Sequence, residues 1–338
     1  MKLPRTVDWV DGKVVLIDQR ALPEKLTFMN CESVDCVAEA IRKMVVRGAP
    51  AIGVAAALGL ILSLKEEPSF DNLVRAAEKL KRTRPTAINL FWAIRRVLDR
   101  AKSAISSGED LYHAVEDEAL RILEEDEMTN RKIGEVGSEL IEDGFTVMTI
   151  CNAGSFATVR YGTALAPIYV AKERGKNVTV VALETRPVLQ GARITAFELG
   201  LEGIPVKLIV DGASGYFMRE HGVDLVMVGA DRILRDGTLY NKIGTYNLAI
   251  VSRYHGVPFY TAAPTSTIDM SSGRGDVTIE MRDPSEVVFM AGRRIAPESA
   301  EVLNPAFDMT PPDLVTGIIT EKGLVRPPFE EGLRSIMR

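Results

Sequence analysis

Histidine and cysteine are scarce in this 338-residue chain, three of each, and aromatic residues make up only 6%. Cys31 and Cys36 stand in a Cys-x4-Cys spacing with no second ligand pair, and His113, His221 and His255 are scattered, so the sequence offers no zinc site. An odd cysteine count predicts free thiols and a reducing, cytoplasmic setting. Neither sign of charge dominates strongly: the net charge is −5 and the pI near 5.5, which argues against a general basic field for nucleic acid and leaves only local anion sites. No apolar run reaches the ~20 residues that span a bilayer. The longest, APAIGVAAALGLILSL at 49–64, is rich in Ala and Gly and reads as a buried helix. MKLPRTVDWVDGK has no apolar stretch behind its basic residues, so no secretory signal is expected. Repeats, low-complexity tracts, a Walker motif and Gly-x-Gly-x-x-Gly are all missing, which leaves a nucleotide cofactor without support.

What is present suits a globular enzyme. Hydrophobic residues at 46% and charged residues at 26% are ordinary for a soluble fold, and the length allows about two domains. TVDWV and KVVLID, joined by Asp11-Gly12, predict a hairpin, because that dipeptide tolerates the positive φ of a tight turn. Helical patterns follow, with Ser33 and Ser69 placed as caps. Residues 1–115 therefore form a mainly helical domain with a short β-hairpin, and residues 116–143 a linking helix into a second domain, 116–338. There, apolar strands at 145–150, 178–183, 206–210, 224–229 and 258–262 alternate with helices near 156–174, 188–201, 213–221 and 243–255. That alternation predicts an α/β, Rossmann-like, doubly wound parallel sheet.

In open parallel sheets, ligands bind beyond the carboxyl ends of the strands. Each predicted strand here ends in polar, small or charged residues: Cys151-Asn-Ala-Gly-Ser, Glu184-Thr-Arg186-Pro, Asp211-Gly-Ala-Ser214, Ala230-Asp231-Arg232 and Ala263-Pro-Thr-Ser-Thr. Gln190, Asn241 and Lys242 follow shortly after two of them. Helix N-termini reached through Gly154, Gly191 and Gly244 would cradle a phosphate, Arg186, Arg193 or Lys242 would neutralise it, and Gln190 and Asn241 would bond sugar hydroxyls. Cys151 and Asp231 are the two groups suited to moving protons: a thiol at a helix N-terminus gains thiolate character, and a carboxyl shielded from water serves as an acid. Plainer readings stand beside these. Cys151 suits a small buried hydrophobe, Asp231 a turn cap, and Arg186 and Arg193 surface ion pairs with Glu184 and Glu198. Arg47-Gly48-Ala49 and Arg84-Pro85 read equally as ordinary helix entries or as cations beside anion-binding helix starts.

RGAPAIGVAAALGL, RPTAINLFWAI, CNAGSFAT, ETRPVLQGARITAFEL, VGADRI, NKIGTYNLAIVSRYHGVPFYTAAPTSTID and NPAFDMTPPDLVTGIITEKGLVRPP together resemble one family over nearly the whole chain. It is the 5-methylthioribose-1-phosphate isomerase family, which also holds ribose-1,5-bisphosphate isomerase and the regulatory subunits of the exchange factor for eukaryotic translation initiation. The resemblance implies a cytoplasmic homodimer of the methionine-salvage pathway that interconverts an aldose 1-phosphate and a ketose 1-phosphate. It implies no metal or redox cofactor, and no nucleic-acid or membrane partner. Carried over by motif, Cys151 and Asp231 are the catalytic pair, and Arg47, Gly48, Ala49, Arg84, Gln190, Asn241 and Lys242 contact the small phosphorylated sugar. Asp211-Gly-Ala-Ser214 and Tyr240 depart from the pattern of the bacterial enzymes and leave the 5-substituent open. The alternatives are a ribose 1,5-bisphosphate or 5-deoxyribose 1-phosphate isomerase, and a non-catalytic regulatory subunit.

Overall fold

The computed structural model describes residues 1–84 and 88–337. Compact packing divides the chain into two units, Met1–Lys132 with Ala153–Ala166, and Ile133–Asn152 with Pro167–Arg338.

The first unit opens with antiparallel strands β1 (Val7–Val10), β2 (Lys13–Ile17) and β3 (Phe28–Cys31), the first two in the register Val10↔Lys13 around Asp11 and Gly12. Both turn residues have positive φ, 50° and 74°, as the Asp-Gly signal requires. Helices α1 (Val34–Arg42), α2 (Ala49–Glu66), α3 (Phe70–Lys81) and α4 (Ile88–Ser107) follow, then α5 (Leu111–Ser138), which runs on into the second unit. Ser33 and Ser69 cap α1 and α3 by accepting the Cys36 and Asn72 amides. Every residue of α2 from Ala51 to Leu64 is buried, with α1, α3 and α4 packed around it, so its apolar run is the core of this unit. A division at residue 115 would fall within the first turns of α5.

Cys31 and Cys36 are joined by a disulfide, and the free thiols expected for them are corrected accordingly. Cys31 ends β3 and Cys36 lies in the first turn of α1, which brings their Cα atoms to 5.3 Å, inside bridging range. Spacing alone does not reveal that geometry. Cys151 is the free cysteine.

The second unit is built on a seven-stranded sheet of β4 (Thr146–Thr149), β5 (Thr179–Leu183), β6 (Val206–Ile209), β7 (Leu225–Val228), β10 (Phe259–Ala262), β15 (Gly317–Thr320) and β16 (Gly323–Val325). Its order is β16-β15-β10-β7-β4-β5-β6, and every pair is parallel except β15–β16. The connecting helices are α6 (Ala166–Glu173), α7 (Ala196–Leu201), α8 (Ser214–His221) and α9 (Thr245–Tyr254). Strands β8 (Arg232–Leu234), β9 (Leu239–Lys242), β11 (Ile268–Asp269) and β14 (Phe307–Thr310) make a second sheet of order β11-β8-β9-β14. A ribbon β12 (Phe289–Met290) and β13 (Arg293–Arg294) follows α10 (Ser285–Val288), and α11 (Phe329–Ile336) closes the chain. From β4 the chain adds β5 and β6 on one side and then β7 on the other, so strand addition reverses between β4 and β7.

The helix expected from residue 156 begins only at Ala166. Its place is taken by a single 3-10 turn, Ser155–Ala157, within a loop that belongs to the first unit and is held by that unit's own residues. The Val159 amide donates to Asp126 at 2.7 Å, the Thr6 amide to the Val159 carbonyl at 2.9 Å, and Gln19 Nε2 to the Phe156 carbonyl at 2.7 Å. These partners replace the i→i−4 ladder a helix would have used.

Candidate active site

The reversal point of a parallel sheet opens a crevice at its carboxyl ends, and Cys151 and Asp231 follow the two strands that flank it, β4 and β7. The register Met148↔Val226 puts those strand ends side by side. Asp231 enters β8 with its amide donating to the Tyr240 carbonyl at 2.9 Å, which sets it beside Asn241 and Lys242 on β9. The loop after β9 returns to β4, since a Cβ at Gly244 would lie 2.9 Å from Ile150 Cδ1. Cys151, Asp231, Asn241 and Lys242 are thus linked through neighbouring chain segments.

The phosphate cradles expected at three glycines are not built as open helix ends. Gly154 precedes a 3-10 turn rather than an α-helix. Gly191 starts a π-helical turn, Gly191–Thr195, and serves close packing: a Cβ there would sit 1.7 Å from the Leu183 carbonyl oxygen. The N-terminus of α9 beyond Gly244 is filled by Asp308, whose carboxylate accepts the Gly244 and Tyr246 amides at 2.7 and 3.1 Å. Burial pushes the Asp308 carboxyl up to about 6 against the pull of those amides and of Lys242. Lys242 is itself buried, donates to the Ala306 carbonyl at 2.9 Å and lies over the Phe307 ring. Asn241 donates to Thr245 Oγ1 at 3.0 Å.

Gln190 immediately precedes the π-helical turn, 8% exposed, with its Oε1 buried and without a hydrogen-bond partner among the described residues. A buried amide oxygen left unmet costs about 1–3 kcal/mol, so an incoming hydroxyl would be welcome there. Arg186 spends its guanidinium on the Pro187 and Val287 carbonyls, at 3.2 and 2.9 Å, instead of pairing with Glu184. Tyr240 is buried, and its hydroxyl donates to the Arg274 carbonyl at 3.3 Å. Strand alternation sends its side chain to the face opposite Asn241.

Three non-glycine residues in this region adopt the left-handed conformation: Cys151 at φ 66°, Thr185 at 67° and Leu189 at 60°. Each costs roughly 1–3 kcal/mol, and such residues persist where the surroundings over-determine them. The Cys151 amide donates to Thr185 Oγ1 at 2.8 Å, and its carbonyl accepts Thr195 Oγ1 at 2.7 Å. Both threonines and Asp308 lie outside the residues singled out from the sequence. Asp211, noted there as a strand end and as a departure from the family pattern, holds the Thr185 and Arg186 amides with one carboxylate oxygen each, both at 2.7 Å.

In the first unit, Arg47 precedes Gly48, the N-cap of α2, with Ala49 its first residue. Among the described residues no side chain caps this helix, and Pro50 stands in its first turn. Gly48 has φ 94°, and a Cβ there would lie 2.2 Å from the Ala157 carbonyl oxygen, so the loop after Cys151 rests directly on the start of α2. Arg84 is half-buried after α3; the Pro85 helix start lies outside the described residues. A cavity of about 770 Å³ lies elsewhere, lined by Arg253, Pro258, Leu314, Thr316 and Phe329 at the amino ends of β10 and β15. None of the candidate residues lines it.

The model of the Initiation factor 2 subunit family matches residues 45–327. The chain belongs to that family. Within it, the chain is 50% identical over 342 residues to the methylthioribose-1-phosphate isomerase of Thermotoga neapolitana, covering 100% of this chain and 99% of the relative. The crystal structure of 5-methylthioribose 1-phosphate isomerase from Pyrococcus horikoshii OT3 superposes with a TM-score of 0.93 at 44% identity, over 100% of this chain and 96% of that one. A structure described as translation initiation factor eIF-2B, subunit delta, from A. fulgidus matches at TM-score 0.91 and 45% identity, over 99% of each chain.

Proposed function

We propose that this chain is an aldose–ketose isomerase that converts 5-methylthioribose 1-phosphate to 5-methylthioribulose 1-phosphate in methionine salvage. The observation that carries this reading is that Cys151 and Asp231 follow the two strands that flank the sheet reversal, with Asn241 and Lys242 on the adjoining hairpin. Near-complete coverage of relatives bearing that name supports it.

Phosphate on the anomeric oxygen keeps this sugar from opening to a free aldehyde. Protonated Asp231 gives its proton to the ring oxygen, the C1–O bond breaks, and C1 is left electron-poor while still bearing the phosphate ester. Cys151 thiolate takes the C2 proton and an enediol phosphate forms; the Cys151 thiol then returns that proton to C1 while the C2 hydroxyl gives its own proton to the Asp231 carboxylate, which yields the ketone and restores both groups. Gln190 and Asn241 bind hydroxyls. Arg47, Gly48, Ala49, Arg84 and Lys242 are assigned to the substrate by the family motif, and the uncapped 18-residue helix α2 suits an anion at Gly48-Ala49. No metal or redox cofactor enters these steps.

The same reading takes the second unit as a Rossmann-like, doubly wound catalytic region of a cytoplasmic homodimer, with neither nucleic acid nor membrane as partner. Tyr216 on α8 and Tyr246, Ile250 and Tyr254 on α9 are exposed and supply apolar surface for a second copy. The net charge of −5 weighs against nucleic acid.

Assaying 5-methylthioribose 1-phosphate, ribose 1,5-bisphosphate and 5-deoxyribose 1-phosphate side by side tests the substrate. Preference for the first is expected; turnover of none, with a partner protein co-purifying, would favour the regulatory-subunit reading. Substrate deuterated at C2 separates the chemistry: exchange with water marks proton transfer through Cys151, and full retention at C1 marks a direct hydride shift.

A further inference from the structure

We infer that Thr185 and Thr195 are positioning residues that aim the Cys151 thiol; the inference rests on the reading that Cys151 takes part in the isomerisation. A cysteine in the left-handed region pays for contact between its Cβ and the backbone, and it relaxes to extended backbone unless something holds it. Here both of its backbone groups are held, the amide by Thr185 Oγ1 at 2.8 Å and the carbonyl by Thr195 Oγ1 at 2.7 Å.

The two hydroxyls are themselves fixed. Thr185 Oγ1 donates onward to the Leu183 carbonyl at 3.0 Å, at the end of β5. Thr195 Oγ1 accepts Asn152 Nδ2 at 3.1 Å, and the same amide donates to Glu198 Oε1 at 2.8 Å. Thr185, Thr195 and Glu198 are 0% exposed, so water does not compete for these bonds. Thr185 has no freedom to drift, because Asp211 grips its amide and the next one. The clamp therefore ties Cys151 to β5 and to the π-helical turn that Gln190 precedes, so the thiol's direction is set by elements that carry substrate contacts. Valine fills the volume of threonine without the hydroxyl, and serine keeps the hydroxyl without the methyl.

Thr185→Val and Thr195→Val are expected to lower kcat by ~10- to 100-fold, the effect of roughly 1 Å of misplacement, with KM changed less than about threefold. Thr185→Ser and Thr195→Ser are expected to stay within about threefold of the parent on both parameters. Alkylation of the free Cys151 by iodoacetamide across pH gives a readout that needs no sugar: both valine variants should shift the rate profile, and the serine variants should keep it. Circular dichroism establishes that each variant folds. If Thr185→Val does not fold, Thr195→Val decides, since Asn152 Nδ2, which it deprives of one acceptor, keeps Glu198 Oε1. Folded valine variants with the parent's kcat and alkylation profile would overturn the clamp, as would losses equal in the serine variants. Should the parent turn over no sugar phosphate, the isomerase reading falls while the alkylation profile still tests the clamp.

Discussion

The carboxylate of Asp308 on β14 accepts the Gly244 amide at 2.7 Å and so closes the N-terminus of α9 with the chain's own negative charge. Through the register Asp308↔Asn241, the same strand supports the hairpin bearing Asn241 and Lys242. Its carboxyl, raised by burial to about 6, holds a proton more tightly folded than unfolded. Stability from Asp308 is thus fully present below the unfolded value near 4 and lost as pH rises through about 6. Asp308→Asn removes that dependence. Its melting temperature relative to the parent should rise between pH 4 and pH 7.5, whereas a constant offset would show that Asp308 does not titrate in this window.

Gly48→Ala should destabilise by about 3 kcal/mol or more, because the positive φ and the contact with the Ala157 backbone both resist a side chain. Urea unfolding measures this; a change under 1 kcal/mol would contradict the packing described, by the ordinary scale of surface substitutions.

Gln190→Leu should raise KM about tenfold, one hydrogen bond's worth, with melting unchanged or higher because an unmet buried acceptor is removed. Lower stability with unaltered KM would assign Gln190 to the core instead.

The Cys31–Cys36 bridge closes a short loop, sequence separation 5, so its loss by Cys36→Ser should cost only about 2 kcal/mol. Thiol titration of the unfolded, unreduced protein should find one reactive cysteine, and three after reduction. Three without reductant would remove the bridge.

Local signals in the sequence carried far. Asp11-Gly12, Ser33 and Ser69 set a turn and two caps whose partners lie within a few residues, and the five apolar strands needed only their own composition. The second sheet was hidden because β9 reads Leu-Tyr-Asn-Lys and ends in two polar residues, buried here between partners β8 and β14 that come from elsewhere in the chain. The expected helix after Cys151 failed for the same reason: its backbone partners, Thr6, Gln19 and Asp126, come from distant positions. At the candidate site, the positions of Cys151 and Asp231 just beyond strand ends were legible. Thr185 and Thr195 were not, since nothing in a threonine's identity marks a left-handed neighbour that needs holding.

Turnover of 5-methylthioribose 1-phosphate by the purified chain, followed as appearance of the ketose 1-phosphate, bears most directly on the role of Cys151 and Asp231. The parent should form the ketose, and Cys151→Ser and Asp231→Asn should each lose about 10²- to 10⁴-fold in kcat while melting as the parent does. Folded variants with the parent's rate, or a parent that forms no ketose, would contradict it.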